Sequence, residues 1–227
     1  FSYKIHCCKP QAILSCEEFS FTSSIMTYYC NSKSTKHLNV MHGEKLFYMR
    51  DSFFHFNQCY VWDQHYVNLF CSLRAAKEQF IVELPEMMQG TNELQEKIID
   101  FTYYLGNEDI IILKKIEEAL LQLKKQGYRV AIRPHPVYTT YEKVKEVVSD
   151  IEIEKNMDID FSIYRSRYAI ARYSTVLNRA YYNQVGVVID DMSNRDEYLK
   201  LVKLQYIMLS KEHLLLSDFV KRKNCML

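Results

Sequence analysis

The sequence predicts an α/β fold built on a parallel, doubly wound sheet. Three observations carry this. Between residues 101 and 191, strand-like and helix-like segments alternate about five times with short links. One strand, Tyr128-Arg129-Val130-Ala131-Ile132, runs into Arg133-Pro134-His135-Pro136, where the prolines stop it and hold Arg133 and His135 extended. Another, Tyr168-Ala169-Ile170-Ala171, is followed by Ser174-Thr175 and a helical stretch.

The elements read in order as follows. Residues 11–17 form a short strand, and Phe19 to Tyr29 a helix with Ser20 or Thr22 as its start signal. His37 to Met41 is a strand that stops at His42-Gly43-Glu44. Residues 45–58 lack periodicity and read as a crossing between domains. Cys59 to Trp62 is strand-like, and Asp63 caps a helix through Leu73. Gln79 to Leu84 is a strand ended by Pro85, and Glu86 to Glu96 is a polar linker.

Phe101 to Leu105 is a strand ended by Gly106. Ile112, Ile116, Ala119, Leu120 and Leu123 recur at helical spacing, and Lys124, Lys125 and Gly127 close that helix. After the proline-stopped strand, Thr139 with Glu142 makes a capping box for a helix to Ser149. Ile151 to Glu154 is a strand and Phe161 to Arg165 a short helix. The Ser-Thr strand leads to a helix from Val176 to Gln184, then to a last strand from Val185 to Ile189. The tail combines a strand-like patch, Gln205 to Leu209, with a helix from Glu212 to Val220.

Composition excludes several classes. Basic residues number 29 against 28 acidic, a balance that gives no support for a nucleic-acid surface. With five glycines and neither a G-x-G-x-x-G nor a Walker A motif, a glycine-rich phosphate loop is nearly excluded. The seven cysteines form no C-x-x-C pair and fit reduced thiols better than a disulfide framework. His6, Cys7, Cys8 and Cys16 match no usual zinc spacing. No apolar run approaches the roughly 20 residues of a membrane span, and no signal peptide is evident. These features point to a cytoplasmic protein. Lys221, Arg222 and Lys223 read as a solvated tail or as a peripheral contact with the inner face of an anionic membrane. The chain opens at Phe1 in a mid-domain pattern, so an incomplete first domain is expected.

The chemistry concentrates at two strand ends. In an open α/β sheet the carboxyl ends of the strands are where ligands bind. A rigid Arg133 and His135 there suit an anionic group such as a phosphate; the plainer alternative is a strand-ending turn with an exposed histidine. Ser174 and Thr175, ahead of a helix N-terminus with its unpaired N–H groups, offer a second phosphate seat; the plainer alternative is simple capping. Asp158-Ile159-Asp160 has D-x-D spacing, but sits before a short helix and reads as turn and N-cap residues.

Taken in order, the His-Gly strand end (His42-Gly43), the crossing, the Val61-Trp62-Asp63 strand, the Arg-Pro-His-Pro segment and the Ser-Thr pair resemble bacterial GT-B glycosyltransferases with an HP motif. That group includes CMP-sialic-acid-dependent sialyltransferases and polysialyltransferases, and the CDP-glycerol glycerophosphotransferases. The resemblance spans about residues 11–191. It implies two Rossmann-like domains facing across a cleft. Residues 1–50 would be the remnant of the acceptor-side domain, 51–195 the nucleotide-donor domain, and 196–227 a tail packing back on both. It implies His135 against the donor phosphate as general acid or charge stabiliser, with Ser174 and Thr175 on the same phosphate. It implies His42 as a candidate base, with Glu44 as the nearby acidic alternative.

The candidate set is therefore His135, His42 and Glu44 for catalysis, and Arg133, Pro136, Gly106, Ser174 and Thr175 for nucleotide or phosphate, with no metal ligands. Two departures bear on the donor: Arg179 stands where many members have a glutamate, and Met41-His42-Gly43 stands for Gln-His-Gly. The implied activity is metal-independent transfer from a nucleotide-activated, CMP-linked sugar, with no cofactor beyond the donor. The acceptor would be a cell-surface glycan or a lipid-linked one. The alternatives are polyol-phosphate transfer from a CDP donor, and a truncated half that binds nucleotide without turnover.

Overall fold

A computed structural model describes residues 2–16, 22–89 and 96–221. The chain divides into two units, Phe1–Pro85 with Lys203–Ile207, and Glu86–Val202 with Met208–Leu227.

The first unit opens with α1 (Ser2–Cys8) and β1 (Ala12–Ser15), then α2 (Thr22–Ser32) and β2 (Lys36–Val40). The predicted start signal Ser20 lies outside the described residues. β3 (Gln58–Val61), α3 (Gln64–Ser72) and β4 (Phe80–Val82) follow, and the four strands pair in parallel in chain order. Asp63 caps α3 as expected, its carboxylate accepting from His65 N at 2.7 Å.

The segment read as a crossing between domains belongs inside this unit. Phe54 and Phe56 are 4% and 1% exposed, and Phe54 meets Phe70 edge-on at 5.1 Å. Gln79, just before β4, accepts from Phe56 N, and Phe54 meets Phe80 of β4 edge-on at 6.0 Å, so the segment is tied to the last strand of the same sheet. The boundary accordingly falls after Pro85 instead of after residue 50. Aperiodic aromatic packing fills this core, and a periodicity test does not register it. Most of the polar linker expected at Glu86–Glu96, residues 90–95, lies outside the described residues.

The second unit contains β5 (Ile99–Tyr104), α4 (Ile110–Lys125), β6 (Val130–Arg133), α5 (Tyr141–Val147), β7 (Glu152–Ile153), α6 (Ile159–Tyr164), β8 (Ser166–Ala171), α7 (Thr175–Tyr182), β9 (Gly186–Ile189), α8 (Arg195–Lys203), β10 (Leu214–Leu215) and α9 (Leu216–Lys221). Its parallel sheet has the order β10-β9-β8-β5-β6-β7. The chain moves outward from β5 to β7, returns beside β5 as β8, and moves outward the other way. The reversal between β5 and β8 is the switch point of a doubly wound sheet.

α4 is built as its spacing predicts. Asp109 caps it, accepting from Ile112 N at 2.8 Å, and Gly127 takes the left-handed φ of +93° that ends it. Leu113, Ile116, Leu120 and Leu123 are fully buried against Phe101, Ile132, Ile170 and Val188 of the sheet. Burial of each such side chain contributes about 1.5–3 kcal/mol.

Two tail assignments change. Residues 207–210 form a 3₁₀ turn where a strand was expected. The predicted helix from Glu212 starts with β10, because Leu214 and Leu215 pair with Val188 and Ile189, and becomes α9 only at Leu216. The second is a case in which an available sheet edge overrides local preference. Among the described residues no helix is long and apolar enough to cross a membrane; Arg222 and Lys223 lie outside them.

Gly186 is required by packing. A Cβ there would lie 2.4 Å from Tyr168 Cδ1, and that ring is stacked on Phe101 at 5.1 Å and cannot retreat. Gly186→Ala should therefore destabilise the second unit by about 1–3 kcal/mol, read as a lower urea midpoint at unchanged slope.

Candidate functional site

β6 delivers Arg133, Pro134, His135 and Pro136 to the carboxyl end of the six-stranded sheet. Arg133 is committed to the fold. Its guanidinium donates to Glu154 Oε2 at 3.0 Å, to Met157 O at 2.7 Å and to Asp158 O at 3.4 Å. Glu154 is 4% exposed and also accepts from Ser162 Oγ at 2.7 Å and from Arg165 Nη2 at 2.9 Å. A carboxylate buried this deeply requires such partners. Arg133 thus braces the loop, and its charge is met by the protein.

His135 is held differently. Its Nδ1 accepts from Val137 N at 3.1 Å and Tyr138 N at 3.2 Å, and its ring stacks on Tyr138 at 4.6 Å. With Nδ1 accepting, the neutral ring carries its proton on Nε2, a tautomer assigned from these hydrogen bonds. Arg133, His135 and Pro136 line one cavity of about 420 Å³ with Tyr141, Lys155 and Asn156. Lys155 Nζ sits 4.7 Å from the centre of the Tyr141 ring.

The switch point is organised by Glu108, 3% exposed. Its Oε2 accepts from Gly106 N at 2.7 Å and its Oε1 from Arg172 Nη2 at 2.9 Å. Arg172 also binds Glu197. Burial is the strongest single influence on the Arg172 guanidinium and pulls it down, but the hydrogen bond to Glu108 and the charges around it, Glu108 and Glu197 among them, together hold the group above its usual value. Thr139 donates to Gly106 O at 2.8 Å and accepts from Glu108 N. This overturns the expected capping box: the N-cap of α5 is Thr140, which makes no side-chain cap bond. Thr139 is instead fully buried, joining the β5 and β6 ends.

Ser174 caps α7 as predicted, its Oγ accepting from Val176 N at 3.2 Å, and Thr175 is the exposed first residue of that helix. Asp158 caps α6, accepting from Asp160 N and Phe161 N. Arg179 pairs with Asp160 at 2.6 Å. Among the described residues no group of three or more His, Cys, Asp and Glu is placed to hold a metal ion.

His42 and Glu44 lie in the first unit, after β2. His42 is exposed, Gly43 turns the chain with φ +66°, and Glu44 accepts from the Tyr66 hydroxyl at 2.7 Å. The structure thus gathers Arg133, His135 and Pro136 in one cavity, and places Gly106, Ser174 and Thr175 outside its lining. Glu108, Glu154 and Arg172 were not singled out from the sequence. The available signal was their position just after strand ends, where a charged residue is ordinarily solvated and buried only when paired.

No known protein-family profile matches the chain, and no curated protein is similar to it. Solved structures do share its fold. A UDP-N-acetylglucosamine 2-epimerase from Rickettsia bellii aligns over 97% of this chain and 69% of its own, with a TM-score of 0.56 and 12% identity. A structure from Listeria monocytogenes, also described as a UDP-N-acetylglucosamine 2-epimerase, aligns over 97% and 66%, with a TM-score of 0.58 and 12% identity. The chain therefore spans about two thirds of the length of these structures. The likeness establishes an α/β, GT-B-like fold of two parallel-sheet units.

Glu154→Ala should leave Arg133 and Arg165 without their shared buried partner. The expected cost is about 3–5 kcal/mol of stability by denaturant unfolding, whereas Arg179→Ala, removing a partly exposed pair, should cost about 1 kcal/mol.

Proposed function

We propose that this chain carries the nucleotide-donor half of a metal-independent glycosyltransferase, which moves a sugar from a nucleotide-activated, CMP-linked donor to a cell-surface glycan or lipid-linked acceptor. The observation that carries this reading is the tethered His135. Two main-chain N–H groups fix its Nδ1, so Nε2 is the ring atom left to serve a ligand in the cavity at the carboxyl end of the sheet.

The chemistry follows from charge. As the glycosidic bond breaks, its electron pair passes to the phosphate oxygen of the leaving nucleotide. A preorganised donor at that oxygen lowers the barrier. His135 Nε2–H is assigned that role. The amides opening α7, with Ser174 and Thr175, are assigned to the same phosphate. Because Arg133 is neutralised by Glu154, it positions the His135 loop and is not assigned to the ligand. Gly106 is assigned to close approach of the nucleotide: a Cβ there would meet only the Glu108 carboxylate, at an ordinary 3.5 Å, so packing does not demand the glycine. A base removes the proton of the acceptor hydroxyl as the new bond forms, and His42 and Glu44 are the candidates.

The names of the two fold relatives favour a second reading, in which the chain binds UDP-N-acetylglucosamine and inverts its C2 centre.

Thermal shifts with CMP, CDP, UDP and GDP discriminate these readings. CMP at a hundredfold excess over its Kd should add about 2.7 kcal/mol of stability, and His135→Ala should remove that gain while the unliganded midpoint holds. Stabilisation by UDP alone, with conversion of UDP-N-acetylglucosamine to its 2-epimer, would establish the second reading. No shift with any nucleotide would defeat both. For the base, His42→Ala and Glu44→Gln should separate in a transfer assay: the true base costs about 10²–10⁴-fold in turnover with donor binding intact.

A further inference from the structure

We propose that the cavity at the opposite, amino end of the six-stranded sheet is a carbohydrate-binding subsite for a neutral oligosaccharide. It has a volume of about 510 Å³ and is lined by Tyr168, Tyr181, Gln184, Gly186, Glu212 and His213. All of these belong to the second unit, at the starts of β9 and β10 and beside β8.

Its polar groups are uncommitted. The hydroxyls of Tyr168 and Tyr181, the Gln184 amide, the Glu212 carboxylate and His213 Nε2 make no hydrogen bond to other described residues, and His213 is oriented through Nδ1 against Lys211 O at 2.9 Å. The carboxyl end differs: there Arg133, Glu108, Glu154 and Ser174 all have partners within the fold. A concave surface that offers several donors and acceptors at once suits a ligand ringed with hydroxyls.

The two tyrosines supply the other half of such a site. Both are half-buried. The Tyr168 ring is fixed by its stack on Phe101 and by the missing side chain at Gly186. Rigid tyrosines present flat apolar area with a polar tip, at little entropic cost. A pyranose ring has matching features, a C–H face and an equatorial rim of hydroxyls. The charge balance favours a neutral ligand over an anionic one. Glu212 lines the cavity; of the cations close by, Lys211 lies over the Tyr181 ring at 5.6 Å and Arg167 faces Asp100 at 3.6 Å. The subsite stands apart from the nucleotide reading, because it shares no residue with the His135 cavity.

The test is saturation-transfer NMR on the full chain, with chitotriose and N-acetyllactosamine as probes and CMP as competitor. Saturation should reach the sugar ring protons of at least one probe and persist when CMP is added. Tyr181→Ala and His213→Ala should each weaken binding by roughly tenfold. The exposed Gln184→Ala, which spares the fold, should weaken it several-fold. Unfolding midpoints of the variants report that they remain folded. Absence of transfer to both sugars overturns the proposal, as does transfer that survives all three substitutions. Displacement of the sugar by CMP overturns it too, because the cavity would then be a nucleotide site.

Discussion

Glu108 is the residue on which the carboxyl end of the larger sheet hangs. One buried carboxylate receives Gly106 N from the β5 end and Arg172 from the β8 end, while its main chain engages Thr139 and Lys143 beyond β6. Burying a carboxylate is costly unless it is paired and hydrogen-bonded, so the three strand ends are held together by the need to satisfy one group. Close by, Tyr103 donates to Asp190 at 2.7 Å. Burial first, and then the Asp190 charge, hold that phenol well above its usual value and keep it a donor. Asp190 in turn accepts from Met192 N and Ser193 N, anchoring the chain beyond β9.

This arrangement shapes what the site can do. Three arginines lie at or near the strand ends, and each faces a carboxylate: Arg133 with Glu154, Arg172 with Glu108 and Glu197, Arg179 with Asp160. Their charges are met within the fold and stabilise the loops, while Lys155 lines the His135 cavity. On the proposed reading, an anionic ligand is met by His135 and by donors opening α7. The two ends of the sheet differ in this: braced, committed groups gather at one end, and the cavity at the other is lined by uncommitted ones.

Much of the second unit was legible in the sequence. The α4 spacing, the Asp109 and Ser174 caps, the Gly127 stop and the prolines after β6 are local signals, and local signals survive because each acts within one turn of the chain. His135 was legible for the same reason: a histidine between two prolines has little conformational choice. Thr139 was misread because its hydroxyl goes to Gly106, 33 residues away, and a capping box cannot register such a competitor. The crossing at residues 45–58 was misassigned because Phe54 and Phe56 are buried through aromatic contacts without a period.

The alternation of strands and helices between β5 and β9, and most of the residues that end them, were determined by the sequence alone, since hydrophobic period, capping and proline geometry are properties of neighbouring residues. The tertiary structure decided the partnerships. It turned Arg133 from a free cation into a brace, brought Glu108 to Arg172 across 64 residues, moved the unit boundary to Pro85 and made a strand of Leu214–Leu215. Each of these depends on which charge or sheet edge lies opposite in space, and that is settled only when strands far apart in the chain are laid side by side.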